Sequence, residues 1–403
     1  MDKIDIDPDG DVFLILNCEE GQFLDASSWP ESVENPLCLL SGGVREEPAD
    51  GESIGDDFSN DGPDTAALIA TKALDDQRIK AKLSQACWRP VKNELQGDSD
   101  DSVVQKFQVR VSAKHLSVSS MVFRAMLSKQ FKEGDALLSK GITSIKLPDD
   151  PPIALLIILC NLHNRMRKVP KAINLDLLTD VAVLVDKYRL HDAMAFLSDL
   201  WVDSLKDSLP ANLGDDLYKW ICVSWVFSKP AEFKKATQIA QFQAESRLDG
   251  YADLPVPDTV IDKIEDNRQQ AIFEIAMLLH GYLVKYGDPE IHCSFECDAM
   301  VLGALTKNLK SLSLLDSGGI VLPPYTGLSF ATFDKRVRNL SFPTLQATIS
   351  RRSHYDYGDY GNGLRKCIDI KPTVENLLTK LKGKLRGLDI ADFSPKKRRD
   401  DVK

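Results

Sequence analysis

The sequence lacks a cysteine framework, a membrane-length apolar run, a signal-peptide pattern and the commonest nucleotide and metalloprotease signatures. Its eight cysteines are scattered over 403 residues with no Cys-x-x-Cys pair, which fits reduced thiols in a reducing compartment better than a set of disulfides. The longest apolar stretch is residues 153–162, about half of the roughly 18 to 20 residues needed to cross a bilayer, so no membrane helix is expected. The start, Met1-Asp2-Lys3-Ile4-Asp5, is acidic and no signal-type apolar stretch follows it, so secretion is not expected. His-Glu-x-x-His, Gly-x-Gly-x-x-Gly and Gly-x-x-x-x-Gly-Lys-Ser/Thr are absent. The six histidines are too dispersed to suggest a catalytic base, and at His115 and His191 packing or surface roles suffice. Neither an enzyme nor a cofactor is expected.

The charge is uneven. Sixty acidic against 50 basic residues give −10, but residues 1–102 hold 24 acidic and 8 basic side chains, hence −16, and the other 301 hold 36 and 42, hence +6. The acidity therefore belongs to a segment and not to one folded surface. It opposes nonspecific binding to phosphates, which needs clustered cations, and no direct nucleic-acid binding is expected.

With 43% apolar residues the chain has enough for at least one sizeable core, and its length suggests two or three units. Residues 11–17 read as a strand, and Val104 to Ser112 as another, with Phe107, Val109 and Val111 on one face and Lys106, Gln108 and Arg110 on the other. Between them, residues 18–103 are rich in acidic residues, Gly and Pro, which predicts a largely disordered insert, with a transient helix at 65–86. Ser119 or Ser120 can cap a helix at 121–127, a strand is predicted at 144–147, and Asp149 or Asp150 can cap a central apolar helix from Ile153. Two more helices are predicted around Leu175 to Tyr188 and Ala193 to Trp201.

These pieces resemble the BTB/POZ domain. The matching residues are Asp11-Val12-Phe13-Leu14, then Val111-Ser112-Ala113-Lys114-His115-Leu116-Ser117-Val118-Ser119-Ser120-Met121-Val122-Phe123-Arg124-Ala125-Met126-Leu127, Phe131-Lys132-Glu133-Gly134, Ile145-Lys146-Leu147-Pro148-Asp149-Asp150 and Ala182-Val183-Leu184-Val185-Asp186-Lys187-Tyr188-Arg189-Leu190. The chain is especially similar to fungal BTB proteins. Leu254-Pro255-Val256-Pro257, Glu296-Cys297-Asp298 and Gly327-Leu328-Ser329-Phe330 look similar to their C-terminal half. Asp11 is retained, while Ser112-Ala113 stand where many animal members have a His-Lys or His-Arg pair.

The resemblance implies an α+β BTB/POZ fold, a small sheet with a helical cluster, built from residues 10–17 plus 104–205 and interrupted by the acidic insert at 18–103. A mostly α C-terminal region would follow at 206–390, then a basic tail at 391–403. It also implies a non-enzymatic interaction protein, a nuclear scaffold or regulator, whose partner is itself or another BTB protein. The alternative is a substrate adaptor that docks a cullin in a cullin-RING ubiquitin ligase. From the sequence, Phe13, Ile15, Met121, Val122 and Met126 form the candidate apolar surface that a second copy would cover.

In the C-terminal region, helices are predicted at 217–244, 258–286, 298–315, 330–340 and 373–385. Cys293 and Cys297, with His292 adjacent, and then His354 and Cys367 supply zinc-ligand types, but the two pairs have different surroundings. Free thiols are the preferred reading, and no metal is expected. His163 sits beside Arg165, Arg167 and Lys168, which read as cations near a helix's terminal carbonyls. The tail run Lys396, Lys397, Arg398 and Arg399 reads as a nuclear import signal or as a solvated tail. The first reading implies a nuclear or nucleocytoplasmic protein.

Overall fold

The computed structural model describes residues 2–19, 104–248, 253–292, 294–317, 319–342 and 370–393. The chain divides into two compact units, the first ending at Ser208 and the second beginning at Leu209. The expected insert from residue 20 onward, with its helix at 65–86, lies outside the described residues.

The first unit is a four-stranded sheet with a helical cluster on one face. Its strands are β1 (Asp2–Asp5), β2 (Val12–Glu19), β3 (Val104–Val111) and β4 (Thr143–Leu147), in the order β1-β3-β2-β4. β2 and β3 pair antiparallel, with Phe13 opposite Arg110, and β4 runs parallel to β2. The period-2 pattern decides the faces: Val12, Leu14, Leu16, Phe107, Val109 and Val111 are all buried beneath the helices, and Phe13 and Ile15 point the other way. β2 runs to Glu19, two residues past the expected strand.

β1 was not expected. Its four residues carry one apolar side chain, Ile4, too short a pattern to read from sequence, and pairing parallel to β3 makes it a strand. The chain then turns close over the end of β3. A Cβ at Gly10 would sit 2.5 Å from the Val111 carbonyl oxygen, so glycine is required there.

The helices of this unit are α1 (Ala113–Ser119), α2 (Met121–Met126), α3 (Lys132–Lys140), α4 (Pro152–Leu162), α5 (Leu175–Tyr188) and α6 (His191–Leu205). Nine of the eleven residues of α4 are buried, as its apolar run predicts, and it packs against β2, α1, α5 and α6. α1 and α3 go beyond the expected elements. The expected cap of α4 is also corrected: Pro151 holds the N-cap position with no side-chain hydrogen bond, because the Asp150 carboxylate turns inward to partners on α5.

The second unit is helical, with one small hairpin. Its helices are α7 (Asp215–Val226), α8 (Pro230–Gln243), α9 (Asp258–Gly287), α10 (Phe295–Ser311), α11 (Phe330–Arg338) and α12 (Ile370–Lys384). The single helix expected over 217–244 is two. Pro230 cannot donate into a continuing helix and restricts Lys229, while Ser228 turns to φ 53°. α10 stops before Leu315, which instead pairs with Ile320 in the hairpin of β5 (Leu315–Asp316) and β6 (Gly319–Ile320). Ile272, Ile275 and Leu279 of α9 form one core with Leu305, Leu309, Phe330, Phe333, Leu378 and Leu381.

Candidate functional site

The five expected interaction residues fall on two surfaces. Phe13 and Ile15 are half-buried on the open face of the sheet, opposite the side chains that meet the helices. Met121, Val122 and Met126 lie on α2, within the helical cluster, where α2 contacts α1 and α5. Met121 is 73% exposed and Val118, at the end of α1, is 74% exposed, so this pair is the more accessible apolar spot. Sequence reasoning missed Val118. It also missed Phe131, Leu138 and Ile142, spaced by seven and four residues along α3 and its flanks, all of which are exposed.

α2 is held from below by a buried polar chain. The Ser120 hydroxyl accepts from the Phe123 amide at 3.0 Å and donates to the Tyr188 carbonyl at 2.6 Å. The Phe123 ring stacks on Tyr188 with centroids 4.5 Å apart and planes 11° from parallel. The Tyr188 hydroxyl donates to one oxygen of the buried Asp150 carboxylate, and the Lys187 ammonium donates to the other. Burial first, and then this hydrogen bond, pushes the Tyr188 phenol above its ordinary pKa, so it stays protonated. The arrangement makes α2 a fixed platform that presents Met121 outward.

A second polar cluster joins β2, α1 and α4. Asp11 accepts from the Ala113 amide at 2.7 Å, at the start of α1. Next to it, the Ser112 amide donates to Nε2 of His163 at 3.0 Å, while Nδ1 lies 2.8 Å from the Leu159 carbonyl. A backbone N–H only donates, so Nε2 carries the lone pair and the proton sits on Nδ1. His163 is therefore a neutral packing histidine, held below its ordinary pKa chiefly by burial. Asp7, His115 and His163 place one ligand atom each within 4.8 Å of one another. Both nitrogens of His163 are committed, so a metal there would displace a backbone partner, and the donor set fits hydrogen bonding better than ligation. Nearby Cys160 is buried, and burial pushes its thiol up to about 11, which removes it as a nucleophile.

Of the zinc-type residues, Cys297 is buried at the start of α10, and Cys293, His354 and Cys367 lie outside the described residues. His292 donates its amide to Asp298 at 2.8 Å and sets Nε2 2.9 Å from the Lys285 carbonyl. Lys396, Lys397, Arg398 and Arg399 also lie outside the described residues. A Gly-x-Ser-x-Gly spacing does occur at Gly51 to Gly55, also outside them. It follows Glu46-Glu47-Pro48-Ala49-Asp50 and not the apolar strand that a nucleophile elbow requires.

In the second unit the polar feature that sequence reasoning missed is Arg268, fully buried on α9. It pairs bidentately with Glu265 at 2.9 and 2.6 Å and donates to the carbonyls of Tyr325 and Leu328 at 3.0 and 2.5 Å. A signal was present. Arg268 stands four residues after Ile264 and four before Ile272, on the apolar stripe of the helix. Its bonds to the Tyr325 and Leu328 carbonyls clamp the loop before α11. Compared with known proteins, the chain matches no protein-family model, no curated protein and no solved structure.

Proposed function

We propose that the chain is a non-enzymatic protein-interaction module of BTB/POZ type, whose first unit pairs with a second copy or with another BTB protein. The observation that carries this reading is the rigid presentation of Met121 and Val118. They are exposed apolar side chains, and the buried Ser120, Tyr188 and Asp150, with the half-exposed Lys187, fix the start of the helix that carries Met121, directly after the helix that carries Val118. An exposed apolar spot on a fixed support is what a recurring protein contact uses. The order of sequence pieces that resembles BTB domains, all within the first unit, adds to it.

The test is light scattering after size-exclusion chromatography over a concentration series. A mass near twice 44.8 kDa that returns to one chain's mass in Met121→Glu supports the reading. A monomer at every concentration removes self-pairing.

The second reading, a cullin adaptor, draws on Phe131, Leu138 and Ile142, an exposed apolar line separate from Met121. Pull-down of a cullin by the full chain, lost in Leu138→Glu and kept in Met121→Glu, is its expected result. Nuclear localisation rests on the basic tail alone, and a reporter with Lys396 to Arg399 changed to alanine should lose nuclear enrichment.

A further inference from the structure

The open face of the sheet carries a pattern that neither reading uses. Strand pairing sets its side chains in rows. Asp5, Arg110, Phe13 and Ser144 lie across the four strands, Lys3, Gln108, Ile15 and Lys146 form the next row, and Lys106 stands beside Asn17 beyond it. Two apolar side chains thus sit two residues apart on a central strand, with Lys3, Lys106, Arg110 and Lys146 around them, Asp5 in the first row and Glu19 at the far end of the strand. Arg110 donates through Nε to the Gly10 carbonyl at 2.7 Å, and its guanidinium carbon lies 5.7 Å from the centroid of the Phe13 ring. Lys3, Lys106 and Lys146 are exposed.

We propose that this face binds an extended acidic segment of a partner protein that carries two apolar side chains and then a carboxylate at every second position, all on one edge. An extended chain repeats its side chains on one face every ~6.8 Å, the same step that separates Phe13 from Ile15 along β2. Two apolar partner residues at i and i+2 then rest on Phe13 and Ile15, and a carboxylate at i+4, on the same edge, reaches Lys106 beside Asn17, with Lys146 beside Ile15 adding to the attraction. Two copies of the face brought together would set cations on cations, which argues against self-association here. Single-stranded nucleic acid stacks its bases on successive rings. This grid has one ring and so no second platform for a stacked base, which makes the acidic peptide the better fit. The inference rests on the sheet alone and does not depend on the BTB reading.

The test is fluorescence anisotropy of the full chain with a short labelled peptide of the pattern Leu-Ser-Leu-Ser-Glu-Ser-Glu, which sets leucines and glutamates on one edge. The expected result is saturable binding that weakens as salt rises from about 50 to about 300 mM. Kd should rise about tenfold or more in Lys106→Glu/Lys146→Glu and stay unchanged in Lys219→Glu, a lysine of the second unit. The same peptide with lysine in place of each glutamate should then bind the double variant and not the wild type, a gain that misfolding cannot produce. Absence of saturable binding, or equal affinity in the double variant, overturns the proposal. So does displacement of the peptide by oligothymidine at the same salt, which would assign the face to nucleic acid. Concentration-independent protection of Lys106 and Lys146 from acylation in the protein alone also overturns it, because the chain's own acidic residues would then be the occupant.

Discussion

The Ser120 hydroxyl meets the Tyr188 carbonyl at 2.6 Å while accepting from the Phe123 amide at 3.0 Å, so one side chain caps α2 and ties it to the end of α5. Ser120→Ala removes both bonds and leaves a buried amide and a buried carbonyl unpaired. The expected loss is about 2 to 3 kcal/mol, adding a cap of about 1 to a buried hydrogen bond of 1 to 2. Urea unfolding followed by far-ultraviolet dichroism checks it. A loss below about 0.5 kcal/mol would mean that the serine is not part of the platform under Met121.

Tyr188→Phe separates stacking from hydrogen bonding. The ring remains against Phe123, while Asp150, 3% exposed, keeps only Lys187. An unsatisfied buried carboxylate oxygen costs about 1 to 3 kcal/mol. The same denaturation series should place this variant below wild type by that amount.

His163 gives the first unit a pH dependence of known sign. Its folded pKa lies below the ordinary 6.5 because burial disfavours the cation. As pH falls, the unfolded chain takes up the proton first. Stability is thus full above about pH 6.5 and declines as pH drops through the window down to the folded value. Protonation also turns Nε2 into a donor facing the Ser112 amide. The difference in unfolding free energy between pH 7.5 and pH 5 should be larger in wild type than in His163→Gln, whose amide cannot titrate. Equal differences would remove His163 as the cause.

What the sequence made legible was local. The alternation of Phe107, Val109 and Val111 placed the core face of β3, and the uninterrupted apolar run from Ile153 marked α4 as central. What it hid depends on partners distant in the chain. Asp150 looked like a helix cap because the residues it serves, Lys187 and Tyr188, are 37 and 38 positions away. Helices α7 and α8 merged in the reading because apolar residues continue on both sides of Pro230, and Trp225 and Phe233 come together across the break, with centroids 5.9 Å apart. The candidate surface was legible by residue type and not by side: Phe13 and Met121 are both apolar, but one belongs to the sheet's open face and the other to the helical cluster.

Arg268 gives the second unit its sharpest prediction. Its guanidinium is fully buried and satisfies Glu265 and two loop carbonyls at once, those of Tyr325 and Leu328. The same loop is tied a second time by the Tyr325 amide, which donates to Gln269 at 2.8 Å, and a third by the Gly327 amide, which donates to the Glu245 carbonyl at 2.8 Å. Arg268→Met keeps most of the buried volume and removes the charge, leaving both carbonyls without this donor and Glu265 with only the Gln269 amide. Breaking a buried pair by deleting one partner costs about 3 to 5 kcal/mol. Arg268→Lys should recover only part of it, because an ammonium cannot reproduce the two-pronged contact with Glu265. Hydrogen exchange should localise the effect: the amides of Tyr325 and Gly327 lose protection first, before the α9 amides around Ile272 and Ile275. If those loop amides stayed as protected in Arg268→Met as in wild type, the clamp would have to reside in Gln269 and Glu245 instead.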